Sequence, residues 1–398
     1  MRQRLHFLLL NIGHFLDHLL MLVFATVAAL ALTREWGLGY GDLARLATPG
    51  FVAFGLCALP AGWLADRWSR EGMMAVFFVG AGLATMATAA ARTPTEIAAG
   101  LLFVGVFAAI YHPVGLALVY EMAPKAGLSI AINGVWGNLG VGSAALVTGF
   151  LIDAAGWRAA FLATGALSVA MGLVYLAVMW PAVSRSARRS SAGKPEPRAT
   201  ARGGAHPAHG ARRILAVVLV AAVISGVVFQ ATTFALPKVL EEAMRSADLS
   251  ASAIGQLTFA VFAAASLAQL VVGRLIDTLG PRRVLMTVTL IQAVFFLAMA
   301  GATGWVAAAL ALGFMIGAFG QIPVNDYVIG RLASGERRAS AYGARFLVSF
   351  LALAAALPLI AWIHERWGFD TLFLVLSAGA AAAFALAMLL PRRLPEAG

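Results

Sequence analysis

At 398 residues, 61% of them hydrophobic and only 12% charged, the chain lies far from a soluble globular domain, which is about 25% charged. A formal charge of +11 would suit a nucleic-acid binder if the protein were soluble, but in a membrane chain it reads as loop arginine, and nucleic acid is not expected as a partner. The single cysteine, Cys57, excludes an intramolecular disulfide.

Apolar runs of about 20 residues, long enough to cross a bilayer, recur from end to end. Twelve spans are expected, at 5–32, 43–65, 73–91, 95–121, 129–152, 158–181, 214–240, 250–276, 284–303, 305–329, 339–363 and 369–390. The start MRQRLHFLLL has the basic flank of a signal peptide, yet His14, Asp17 and His18 interrupt its apolar core and another span follows at once. It therefore reads as a retained first helix. Residues 182–213, rich in Ser, Gly, Pro and Arg, form an expected disordered basic linker. They divide the chain into an N-terminal bundle, 1–181, and a C-terminal bundle, 214–398.

An even number of spans puts both termini on one side, and that side carries 21 of the 29 Lys and Arg residues. Both termini are therefore expected in the cytoplasm. The high Ala, Gly and Arg content and the lack of an organellar signal suit a bacterial inner membrane.

The two halves repeat. GWLADRWSREG follows span two and GRLIDTLGPRR follows span eight; AAGWRAAF leads into span six and ERWGFDTLF into span twelve. A tight loop needs glycine, and its carboxylate can pair with arginine or sit near a helix N-terminus.

These loops resemble the signature of the major facilitator superfamily, G-x-L-A-D-R-x-G-R-R. Gly62, Leu64, Ala65, Asp66, Arg67 and Arg70 fit it, while Ser69 and Glu71 depart. The second copy keeps Gly273, Leu275, Asp277, Gly280, Arg282 and Arg283. The resemblance implies an all-α fold of two six-helix bundles, in which Asp66, Arg67, Arg70, Asp277, Arg282 and Arg283 form a gating cytoplasmic latch; the intramembrane Asp326, which could pair with Arg345, is a further expected gating residue. The run Tyr111, His112, Pro113, Gly115 also looks like the Y-H-P-x-G of fosmidomycin-resistance-type efflux proteins. Span five, NGVWGNLGVG, is glycine-rich like the exporter motif of that helix but lacks its G-P step.

An ionised group at mid-bilayer costs at least about 2.5–3.5 kcal/mol and normally marks a functional cavity. Spans three, six, nine and twelve carry no ionisable residue in their apolar cores. Asp17 with His14 and His18 lies in span one, His112 in four, Gln230 and Thr233 in seven, Gln321, Asn325 and Asp326 in ten, and Arg345 in eleven. The resembled fold lines its cavity with helices 1, 4, 7 and 10, which agrees.

At about 100° per residue, Asn11, His14, Asp17 and His18 share one helix face. Asp17 is about 18 Å from the cytoplasmic end at 1.5 Å per residue, and His112 can reach the same depth. Burial and a neighbouring imidazolium act on a carboxylate in opposite directions, and histidine titrates near neutrality. Asp17, His14, His18 and His112 are therefore the expected proton-coupling group. Asn11, Tyr111, Trp136, Asn138, Gln230, Thr233, Gln321, Asn325 and Arg345 are expected to bind substrate.

HFLDH also approaches the H-x-x-E-H zinc motif, but its acid is Asp, it lies deep in a span, and no distant carboxylate ligand accompanies it. Neither an enzyme nor a resident metal or cofactor is expected. No phosphate loop points to ATP drive. The expected function is monomeric, alternating-access secondary transport of a small solute in the lipid bilayer, with proton-coupled export of a drug-like or anionic compound foremost. Uptake of an organic metabolite, or carriage of a metal cation by His14, Asp17 and His18, stays open.

Overall fold

In hydrocarbon every backbone N–H and C=O must be satisfied within its own segment, so apolar spans fold as helices. The computed structural model describes residues 2–122, 126–191, 209–332 and 338–391. Its long helices are α1 (Arg2–Val27), α2 (Thr48–Arg67), α3 (Arg70–Thr88), α4 (Pro94–Ala108), α5 (Ala126–Ala155), α6 (Trp157–Ser191), α7 (His209–Ala243), α8 (Ala251–Leu279), α9 (Pro281–Met299), α10 (Gly304–Leu332) and α11 (Arg338–Met388). Eleven stretches among the described residues are long and apolar enough to cross a membrane. The expected spans eleven and twelve both fall within α11, which is interrupted at Gly368.

Local chemistry sets the boundaries. Thr93 caps α4 by accepting from the Glu96 backbone N–H, with Pro94 in the first turn, where its missing N–H costs nothing. The two signature loops turn differently. Gly280 has φ of 80°, a conformation glycine adopts without strain, whereas Ser69 at the corresponding place has φ of −167° and caps α3 by accepting from Gly72 N–H. Serine thus replaces glycine where a cap, and not a left-handed turn, ends the loop. The repeated Gly156 and Gly368 both take positive φ, 81° and 74°.

The helices cluster as two compact units, Met1–Arg198 with Ser250–Phe259, and Ala199–Leu249 with Ala260–Gly398. In the first, α1 packs along α5, α3 along α6 and α2 against α4. Its interior is filled by Leu9, Phe24, Phe77, Phe78, Phe161 and Tyr175, and His6 shares a buried hydrogen bond with the Tyr175 hydroxyl at 2.9 Å. Near the far end of the run Gln3–Glu35, the Glu35 carboxylate accepts from Trp157 Nε1 at 2.8 Å and from Arg158 at 3.4 Å. In the second unit α7 packs along α11 and α9 against α10, around Val272, Leu285, Val288, Val324 and Leu390. Leu59, Phe150 and Leu173 are more than half exposed, as a surface that meets lipid requires.

Lys238 is 7% exposed within α7. Its ammonium lies 2.6 Å from Glu241 and 3.5 Å from Glu242, and His364 Nε2 lies 3.5 Å from the same Glu242 oxygen.

Candidate functional site in the first unit

The polar face of α1 turns into its own bundle. Asn11, His14 and Asp17 are 2%, 7% and 0% exposed, while His18, one residue on, is half-buried. The wall opposite is built by two features of sequence. In the first, α4 gives way to a π-helical turn over Tyr111–Gly115, the Y-H-P-V-G run. Pro113 has no N–H to give to a regular ladder, and the wider turn carries both Tyr111 and His112 into the interior; such π-bulges are frequent at functional sites.

The second feature is the glycine run of α5. A Cβ at Gly140 would come 2.2 Å from the Phe15 carbonyl oxygen, and one at Gly137 would come 2.6 Å from His14 Nε2. Small residues at these two places let α5 seat directly against α1.

Asn133, one turn before Gly137, joins the three helices. Its side-chain amide donates to Asn11 Oδ1 and to the Tyr111 hydroxyl, both at 2.9 Å, and the Tyr111 hydroxyl donates to the Leu10 carbonyl at 2.8 Å. The Asn133 backbone carbonyl lies 2.8 Å from His14 Nδ1. A carbonyl only accepts, so Nδ1 carries the proton and His14 is fixed in orientation. The Tyr111 ring stacks on His14 at 4.9 Å between centroids.

Asp17 Oδ2 faces His112 Nε2 at 3.3 Å, and neither Asp17 oxygen has a hydrogen-bond partner among the described residues. The His14, His18 and His112 rings stand 5.0–5.5 Å apart. Each offers a nitrogen within 4.8 Å of the others, close enough for a cation to gather, although His14 Nδ1 is already committed to a carbonyl.

The structure thus brings Asn11, His14, Asp17, His18, Tyr111 and His112 together. Asn11 and Tyr111, expected to bind substrate, are buried, with Asn11 Oδ1 and the Tyr111 hydroxyl hydrogen-bonded to protein. Trp136 and Asn138 are half-buried elsewhere on α5. Asn133 was missed by sequence reasoning; its i, i+4, i+7 relation to Gly137 and Gly140 is the signal that would have found it.

The other expected residues belong to the second unit. Gln230 is half-buried, Thr233 and Asn325 are buried, and Gln321 donates to Gln292. The side chains of Asp326 and Arg345, and residues 192–208 of the expected linker, lie outside the described residues. Of the expected gating residues, Asp66 pairs with Arg70 at 2.6 Å and Arg67 lies over the Trp63 ring, while Asp277 and Arg283 are exposed and Arg282 half-buried.

Two bundles of helices long and apolar enough to cross a bilayer, one of them with a buried polar centre, define a multi-pass membrane protein. The chain belongs to the Major Facilitator Superfamily, whose sequence profile matches residues 10–245 and 218–398. It is 30% identical over 160 residues to the gallate transporter of Pseudomonas putida, covering 40% of this chain and 35% of that one. It is 34% identical over 137 residues to the niacin transporter of Acinetobacter baylyi, covering 34% and 31%, and 34% identical over 146 residues to a puromycin resistance protein of Streptomyces alboniger, covering 35% and 29%. The chain therefore spans about a third of the length of these relatives. Its fold is similar to that of a D-xylose-proton symporter, with a TM-score of 0.75 at 12% identity over 97% of both chains. It is also similar to a bacterial homolog of the human lysosomal transporter Spinster, with a TM-score of 0.74 at 16% identity over 96% of this chain and 95% of that one.

Proposed function

We propose that the chain is a proton-coupled secondary transporter of a small aromatic carboxylic acid, working by alternating access in a bacterial cytoplasmic membrane. The observation that carries this reading is Asp17, fully buried at mid-span, its Oδ2 3.3 Å from His112 Nε2 and neither oxygen hydrogen-bonded among the described residues. An ionisable group at this depth is costly to bury as an ion and normally marks a functional site.

The substrate class draws on the relatives named for gallate and niacin. Moving one charge against a membrane potential costs about 2.3 kcal/mol per 100 mV. A proton carried with an organic anion cancels that charge, so symport suits an acid. The relative named for puromycin resistance supports the drug-export reading instead, and the two differ in whether the substrate moves with the proton or against it. The organic substrates in these names weigh against a metal-cation carrier.

Purified protein in sealed vesicles, with the outside made acidic, tests the reading. Labelled nicotinate or gallate should accumulate inside and the external medium should turn alkaline with it. Failure of both acids to accumulate, or accumulation with no proton movement, would show the reading wrong.

A further inference from the structure

The three imidazoles of the site are not equivalent. His14 is locked: Nδ1–H donates to the Asn133 carbonyl, one face lies on Tyr111, and the Nε2 edge abuts Gly137. His112 is turned to Asp17 at 3.3 Å. His18 alone is half-open, and its nitrogens make no hydrogen bond to another described residue.

His18 sits halfway along the helical run Gln3–Glu35. Ile12 and Phe15 precede it by six and three residues, and both are likewise half-buried, so the three share one partly open strip of α1. A partly open ionisable side chain at this depth faces water or a ligand in preference to hydrocarbon. Among the described residues of this unit, every arginine lies at or near a helix end or in a connection. At mid-depth the groups of this unit able to carry positive charge to an anion are therefore the imidazoles, and His18 is the one with both an open side and nitrogens outside any hydrogen bond to another described residue.

We propose that His18 is the anion-recognition residue of the site: its ring N–H donates to the carboxylate of the transported acid, and Phe15 and Ile12 flank the acid's ring. Asp17 with His112 is left for the coupling step, and His14 serves to position them. The assignment rests on the organic-acid reading given above.

The experiment compares binding of nicotinate with uncharged nicotinamide, and gallate with its methyl ester, by calorimetry on purified protein in detergent. Wild type should prefer each acid. His18→Ala should weaken acid binding at least 10-fold while changing the uncharged partners little, so that the preference collapses. His18→Gln keeps an N–H donor and should retain an intermediate preference, which a loss of fold would not produce. An unchanged acid preference in His18→Ala overturns the assignment. So does a wild type that binds acid and uncharged partner alike. If wild-type vesicles accumulate acid and the His18 variants do so with unchanged KM, the assignment fails and the organic-acid reading stands. If wild type neither binds nor moves either acid, both fall.

Discussion

Asp17 and His112, 95 positions apart in the chain, face each other at 3.3 Å because a π-helical turn delivers the histidine to the polar face of α1. The carboxylate is wholly buried and the imidazole nearly so. The pair stands on a scaffold whose parts can be tested one at a time.

Gly140 and Gly134 lie on the same helix and should respond oppositely to alanine. A Cβ at Gly140 would meet the backbone of Phe15 at 2.2 Å, and backbone cannot swing aside. Gly140→Ala should force α1 and α5 apart, at a cost of about 1–3 kcal/mol or more. At Gly134 nothing lies within 4 Å, so alanine should be neutral or stabilising by up to about 1 kcal/mol through helix propensity. Thermal unfolding followed by tryptophan fluorescence reads both; equal midpoints for the two variants would refute the proposed seat for α1.

Asn133→Ala removes the amide that joins α1 to the π-helical turn, leaving Asn11 Oδ1 without its buried donor. Each unsatisfied buried group costs about 1–3 kcal/mol. A fall of several degrees in the unfolding midpoint is expected. Retention of the wild-type midpoint would show that the three-helix junction contributes little.

Much of this architecture is visible in the residues themselves. Apolar length alone marks the spans, because hydrocarbon leaves an unpaired backbone no alternative to the helix. That Asp17 and His112 could share a depth follows from counting residues along two helices. Which face of α1 meets which neighbour does not follow from counting. Asn11 and Tyr111 look like ligand contacts in sequence because they are polar and in-membrane, yet they bond to protein across the bundle. Asn133 escaped notice because one amide beside glycines has no apolar period to disturb. The exchange of Ser69 for glycine appears in sequence as a departure from the family pattern; only the backbone shows it as a cap.

Lys238 supplies a contrast within the second unit. Its ammonium is buried between two glutamates. Lys238→Ala removes the ammonium that both carboxylates face, and removing one partner of a buried pair typically costs about 3–5 kcal/mol. Poor recovery of folded protein is expected, improved in the triple variant Lys238→Ala, Glu241→Gln, Glu242→Gln. Wild-type stability of Lys238→Ala alone would show the cluster to be well solvated.

The exposed pair Asp66 and Arg70 should behave otherwise. Ion pairs on an exposed surface contribute about 0–1 kcal/mol, and Asp66 is mostly in solvent. Asp66→Asn should leave the unfolding midpoint within about two degrees, while slowing transport if the loop gates the pathway. Unchanged turnover would remove the gating role.

Asp17→Asn is the most direct test of the account. The variant keeps the side chain's shape and removes its capacity to take up and release a proton. In vesicles it should lose all pH-gradient-driven accumulation of nicotinate or gallate, yet still exchange labelled for unlabelled acid across the membrane when no gradient is imposed. Accumulation by Asp17→Asn to the wild-type level on the same pH gradient would contradict the assignment of Asp17 as the coupling residue.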